Sequence, residues 1–165
     1  MKMNLIYTGE KLPGYAYGFN PSIFLAGPTP RDAETKSWRP EAIRLLETAR
    51  FSGSVMVPEW RDMNKQVQFD SQVEWENDGL EQATVIAFWI PRNLENMPAF
   101  TTNVEFGRYV GRKTVVYGRP PDAPKNAYLD WYYTKKTSLK PLDTLLETMN
   151  ATIVEIVCPK IRRLQ

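Results

Sequence analysis

Short, nearly continuous apolar runs alternate with longer polar stretches along this chain. Five runs, each bounded by turn-forming residues, predict strands. They are Ser22–Ala26 (SIFLA), Val55–Val57 (VMV), Thr84–Ile90 (TVIAFWI), Thr114–Tyr117 (TVVY) and Thr152–Val157 (TIVEIV). The first four have the continuous apolarity of strands buried on both faces. The fifth carries Glu155 in its middle and reads as an edge strand. NLIY, near the start, offers a further short edge strand.

Helical spacing fills the intervals. Pro40 to Arg50 presents Ala42, Ile43, Leu45, Leu46 and Ala49, with Pro40 suited to a first helical position and Gly53 just past the end. Gln72 to Gln82 is polar, with Val73 and Leu80 as a thin apolar stripe. Asn103 to Val110 is short and stopped by Gly111. Leu139 to Met149 shows Leu142, Leu145, Leu146 and Met149 at helical spacing after Pro141. Strands alternating with helices predict a three-layer α/β/α fold with a mainly parallel five-stranded sheet. The expected arrangement is flavodoxin-like, with the five strands in the order 2-1-3-4-5. That order places a topological switch between the first and third strands, where such sheets bind ligands outside the strand carboxyl ends. Two loops are thereby nominated: Gly27-Pro28-Thr29-Pro30-Arg31, and Pro91 through Thr102.

Length and composition narrow the chemistry. The chain has 165 residues, 42% apolar and 24% charged, which suits one globular domain spanning 1–165. It contains no histidine and a single cysteine, Cys158. A Ser-His-Asp triad, a Cys-His pair, a histidine metal site and an internal disulfide are all ruled out. The net charge of +2 and the short basic stretch KIRRLQ do not make a nucleic-acid surface. No apolar run approaches a membrane span, and MKMNLIYTGE lacks a signal-peptide core. A cytoplasmic protein with no metal and no cofactor is expected.

Any catalytic chemistry must therefore come from carboxylates, hydroxyls, amides, lysine, arginine or a bound cofactor. Glu105, in TTNVEFG, falls in the first turn of the expected helix, where the helix dipole favours a negative charge and would keep it ionised. The same residues, Thr102-Asn103-Val104-Glu105, also fit a capping box, so cap and nucleophile stand as alternatives. In GPTPR, Gly27 permits close backbone approach, while Thr29 and Arg31 offer a hydroxyl and an anion-binding fork. The loop also fits an ordinary proline-rich strand exit. Phosphate-loop and dinucleotide glycine motifs are absent. Asn77-Asp78-Gly79 is a poor helix-forming triplet inside VEWENDGLEQA, which marks Asp78 for a function. Of the five tryptophans, Trp60 and Trp89 lie near strand carboxyl ends and suit stacking on a planar base.

SIFLAGPTPR, EWENDGLEQATVIAFWIP and TTNVEFGRYVGRKTVVYGRP together resemble the nucleoside 2-deoxyribosyltransferase superfamily, in its nucleoside 2-deoxyribosyltransferase-like branch. The resemblance spans roughly Ile23 through Trp131. It implies a flavodoxin-like fold and cleavage of an N-glycosidic bond. A glutamate attacks the anomeric carbon, and a second base or water then takes the sugar. Glu105 matches that glutamate, and Asp78 matches an aspartate that handles the proton of the base. Asn126 matches an asparagine lent to the pocket by a neighbouring subunit, which implies a homo-oligomer. Phe24 stands where the family often has a tyrosine. No carboxylate precedes Glu105 in MPAFTTN, so Thr101, Thr102 or Asn103 would bind the sugar hydroxyls. Pro28 would share in the wall formed by GPTPR.

Two carboxyl groups flanking the scissile bond suffice for retaining glycosidic cleavage. The leading expectation is an enzyme that cleaves a nucleoside, deoxynucleoside or nucleotide by transfer or hydrolysis. It would act without a nucleic-acid polymer or a membrane as partner. The alternatives are a glycohydrolase of nicotinamide dinucleotides and a non-catalytic nucleotide sensor.

Overall fold

In a computed structural model, residues 2–14, 20–62 and 69–159 are described. The strands are β1 (Asn4–Tyr7), β2 (Ser22–Ala26), β3 (Ser54–Val57), β4 (Val85–Trp89) and β5 (Val115–Gly118). The helices are α1 (Arg39–Thr48), α2 (Phe69–Gln82), α3 (Phe100–Tyr109), α4 (Ala127–Thr137) and α5 (Leu145–Val157). The strands form one sheet in the order β1-β3-β2-β4-β5, and all four pairings are parallel.

β2, β3, β4 and β5 are buried along their whole length. Successive side chains of β2 therefore feed two separate cores. Ile23 and Leu25 pack with Trp38, Leu46, Trp89 and Met149, on the side of α1 and α5. Phe24 and Ala26 pack with Trp75, Phe88, Phe106 and Tyr133, on the side of α2, α3 and α4. A sheet covered on both faces explains why its inner strands read as unbroken apolar runs.

The strand order 2-1-3-4-5 is overturned. Thr152–Val157 is not a strand but the last half of α5, and the fifth strand is NLIY, at the opposite edge beside β3. The β-branched residues of TIVEIV favour a strand by propensity, yet tertiary context decides. Thr144 and Glu147 form a reciprocal capping box that starts the helix. Thr148, Met149 and Thr152 then make one buried helical face. This helix lies so close to β5 that a Cβ on Gly118 would fall 2.0 Å from the Thr148 hydroxyl. A single parallel bridge between Gly118 and Leu142 stands at the outer edge of β5.

The helix expected over 139–149 thus shifts to 145–157, and residues 127–137, for which no element is expected above, form α4. Only Leu129 and Tyr133 of α4 are buried, while Tyr128 and Trp131 are exposed. Apolar residues therefore lie all round this helix and its stripe is hidden in the sequence. Arg50, at φ 56°, makes the left-handed turn after α1 in place of Gly53. The basic stretch 160–165 lies outside the described residues. No described helix is long and apolar enough to cross a membrane.

Candidate functional site

β2 is the point where the fold reverses. Its chain turns to α1 on one face, whereas the chain leaving its neighbour β4 turns to α3 on the other. A crevice must open between the two exits. A cavity of about 320 Å³ occupies it, walled by Ala26–Thr29, Arg31, Pro58, the Pro98–Thr102 segment, Glu105 and the α2 residues Gln72, Val73 and Glu76. Phe24 and Arg39 complete the lining.

Gly27 makes the first wall possible. Its φ is +151°, and a Cβ there would lie 2.1 Å from the carbonyl oxygen of Trp89. Only glycine fits where the two strand exits come this close. The carbonyls of this loop are held by Arg39. Nε donates to Leu25 O (3.1 Å), Nη2 to Gly27 O (2.7 Å), and Nη1 to Pro28 O (3.4 Å), to the Thr29 hydroxyl (3.1 Å) and to Glu59 (2.8 Å). Trp38 Nε1 also donates to Pro28 O (3.1 Å).

The second wall hangs on Arg92, which is buried. It donates to Pro98 O (2.8 Å), to Asn103 Oδ1 (2.7 Å) and to Asn126 Oδ1 (3.1 Å). Ala99 precedes α3 with φ 61°, a left-handed conformation in a residue that carries a Cβ.

Two carboxylates face this cavity, Glu105 from α3 and Glu76 from α2. α3 begins at Phe100, so Glu105 lies in its second turn, and no acidic residue occupies the first. The capping box and the ionising effect of the helix end are both overturned. Among the described residues, nothing donates a hydrogen bond to Glu105. Burial and the neighbouring charge of Glu76 push its carboxyl up to about 7, against the opposing pull of Arg39. Glu76 is also raised by burial, while Gln72 and Arg39 pull it back. Gln72 Nε2 donates to Glu76 Oε1 (2.9 Å), and the Trp60 indole donates to Gln72 Oε1 (3.3 Å). An indole N–H can only donate, so it fixes the amide with its NH₂ toward Glu76. Glu105 therefore holds its proton up to about neutral pH, and Glu76 is shifted in the same direction.

Of the residues nominated from sequence, Phe24, Gly27, Pro28, Thr29, Arg31, Thr101, Thr102 and Glu105 line the cavity. Arg31 stands at its exposed edge over the Phe100 ring (5.4 Å), with no carboxylate partner among the described residues. The other nominees lie elsewhere. Asp78 is exposed and outside the lining. The oddity of its triplet has a packing cause, since a Cβ on Gly79 would lie 2.7 Å from the Phe24 ring. Trp89 belongs to the core on the other face. Trp60 acts through Gln72 rather than as a wall. Asn103 and Asn126 are both committed to Arg92. Asn126 is only 3% exposed, so its amide is not free for a neighbouring subunit's pocket.

Sequence reasoning missed Arg39, Glu76, Gln72 and Arg92. Glu76 is the one it could have found: it lies two residues before Asp78, on the turn of α2 opposite Glu105. No group of three or more potential metal ligands occurs among the described residues.

A search of curated proteins found no significant match. A family model described as nucleoside 2-deoxyribosyltransferase like matches residues 20–123. The matched segment includes both walls of the cavity, Glu76 and Glu105. With that match over most of its length, the chain belongs to the nucleoside 2-deoxyribosyltransferase-like family, a family of nucleoside- and nucleotide-handling enzymes.

Proposed function

We propose that the protein cleaves the N-glycosidic bond of a nucleoside or mononucleotide, with Glu105 as nucleophile and Glu76 as acid and base. The observation that carries this reading is the pairing of Glu76 and Glu105 in one cavity at the sheet's switch point, with Glu105 free of hydrogen-bond donors among the described residues. A nucleophilic carboxylate needs a free oxygen. In the first step Glu105 bonds to the anomeric carbon as the bond to the base breaks. The base leaves with the electron pair and takes the proton held by Glu76. In the second step Glu76 accepts a proton from the incoming water or base, which displaces Glu105 from the sugar.

The Glu76 assignment replaces Asp78, whose side chain stands outside the cavity. In this reading the sugar hydroxyls meet the wall of Thr101 and Thr102, and a 5′ anionic group meets Arg31 at the open edge, since all three line the cavity. A volume of about 320 Å³ is at the small end of ligand cavities, which favours one nucleoside unit over a dinucleotide.

The test is a panel of ribo- and deoxynucleosides, their 5′-monophosphates and NAD, with released base measured by chromatography. Base release from at least one mononucleoside or mononucleotide is expected, together with its loss in Glu105→Gln. Turnover that survives in Glu105→Gln would refute the nucleophile. Binding without release by the unaltered protein would favour a sensor.

A further inference from the structure

The cavity is bordered by an arginine that no part of the proposed reaction uses. Arg39 is 1% exposed, the largest fully buried side chain of the protein. A buried guanidinium is costly unless its donors are met, and five acceptors surround this one. Three are consecutive or near-consecutive carbonyls of the β2 exit, and the others are the Thr29 hydroxyl and Glu59. The ion pair with Glu59 is itself largely buried. Fixing α1 to the sheet would not require three carbonyls of one loop. That loop is the cavity wall whose backbone only Gly27 permits.

We infer that Arg39 is a positioning residue of the site: its fork clamps the Leu25–Thr29 wall, and its fixed positive charge stands behind the Glu76–Glu105 pair and favours the ionised nucleophile. This deepens the proposed function and rests on it for the word nucleophile. The groups that face Glu105 are Glu76 from α2, Arg39 from α1 and Arg31 from the loop after β2, with Tyr109 further along α3 itself. Of these, Arg39 is the cation whose attraction Glu105 feels. It acts on Glu76 in the same direction.

Two variants separate the fork from the charge. Arg39→Lys keeps the positive charge but has three donors instead of five. Arg39→Met combined with Glu59→Gln removes the cation together with its ion-pair partner, so that no buried carboxylate is stranded. The Glu105 carboxyl is titrated by ¹³C NMR, its signal assigned through Glu105→Gln, and kcat and KM for base release are measured across pH. In the double variant the Glu105 midpoint should rise measurably as the pull of Arg39 is lost, with the acid limb of turnover moving alongside. In Arg39→Lys the midpoint should hold, while kcat/KM falls about tenfold or more because the wall is no longer fixed.

A midpoint that stays in place in the double variant overturns the inference. An unchanged kcat/KM in Arg39→Lys does so too. Failure of both variants to fold would assign Arg39 to the fold alone and equally overturn it. If the unaltered protein releases no base, the proposed function fails on its own. The Glu105 midpoint then still supports or overturns the role of Arg39.

Discussion

Replacing Glu105 by glutamine should make the protein more stable, by an amount that grows as pH rises from about 4.5 and levels off above about 7. Glu105 has an ordinary carboxyl value of 4.5, and its surroundings raise this to about 7. A carboxyl that binds its proton more tightly in the folded chain stabilises the fold while protonated. That contribution is fully present below the unfolded value and is lost as pH rises through about 7. Above that pH the fold must hold a carboxylate that burial and Glu76 both oppose, at a cost of about 3 kcal/mol. Glutamine has nearly the same shape and never ionises. Its gain should therefore be absent at pH 4.5 and approach about 3 kcal/mol at pH 8 and above. For a chain of this size, that is roughly 6–12 °C in Tm. Thermal unfolding of both forms at pH 4.5, 6, 7 and 8.5, followed by circular dichroism, reads the difference. A Tm difference that is constant across this range, or a glutamine variant less stable at pH 8.5, would show that Glu105 does not carry a raised proton affinity in the fold.

Turnover should follow the opposite course, rising with pH along an acid limb near 7 in kcat/KM as Glu105 ionises. A limb near the ordinary carboxylate range would contradict this. Glu76→Gln should slow base release by roughly 10²–10⁴-fold, whereas Asp78→Asn should leave it unchanged. Steady-state kinetics of the two variants decide between these carboxylates. Arg31→Ala should raise KM for 5′-monophosphates and leave KM for nucleosides in place, and equal weakening of both would remove the phosphate role. Gly79→Ala should destabilise the fold by about 1–3 kcal/mol, because its methyl meets the buried Phe24 ring. Urea unfolding measures this, and an unchanged midpoint would show that α2 can move away from β2.

Elements whose cause is local, and the chemistry that composition forbids, are legible in the amino-acid order alone. β2, β3, β4 and β5 announce themselves because a strand buried on both faces has no polar positions to blur it. The absence of histidine excludes histidine-based triads and metal sites wherever the remaining groups lie. Glu105 and the GPTPR wall were legible because they follow strands whose ends define the crevice.

The remaining features depend on packing between distant segments. TIVEIV became a helix because a cap upstream and close contact at Gly118 outweigh β-branched propensity. Asp78 and Glu76 are two residues apart in sequence, and about 200° of helical rotation sends one to solvent and the other into the cavity. The proton affinity of Glu105 cannot be read from its neighbours in the chain, because it is set by Glu76 and Arg39 on other helices. Arg39 itself looks like any arginine beside a proline, until packing buries it and the fold turns the carbonyls of a distant loop toward it.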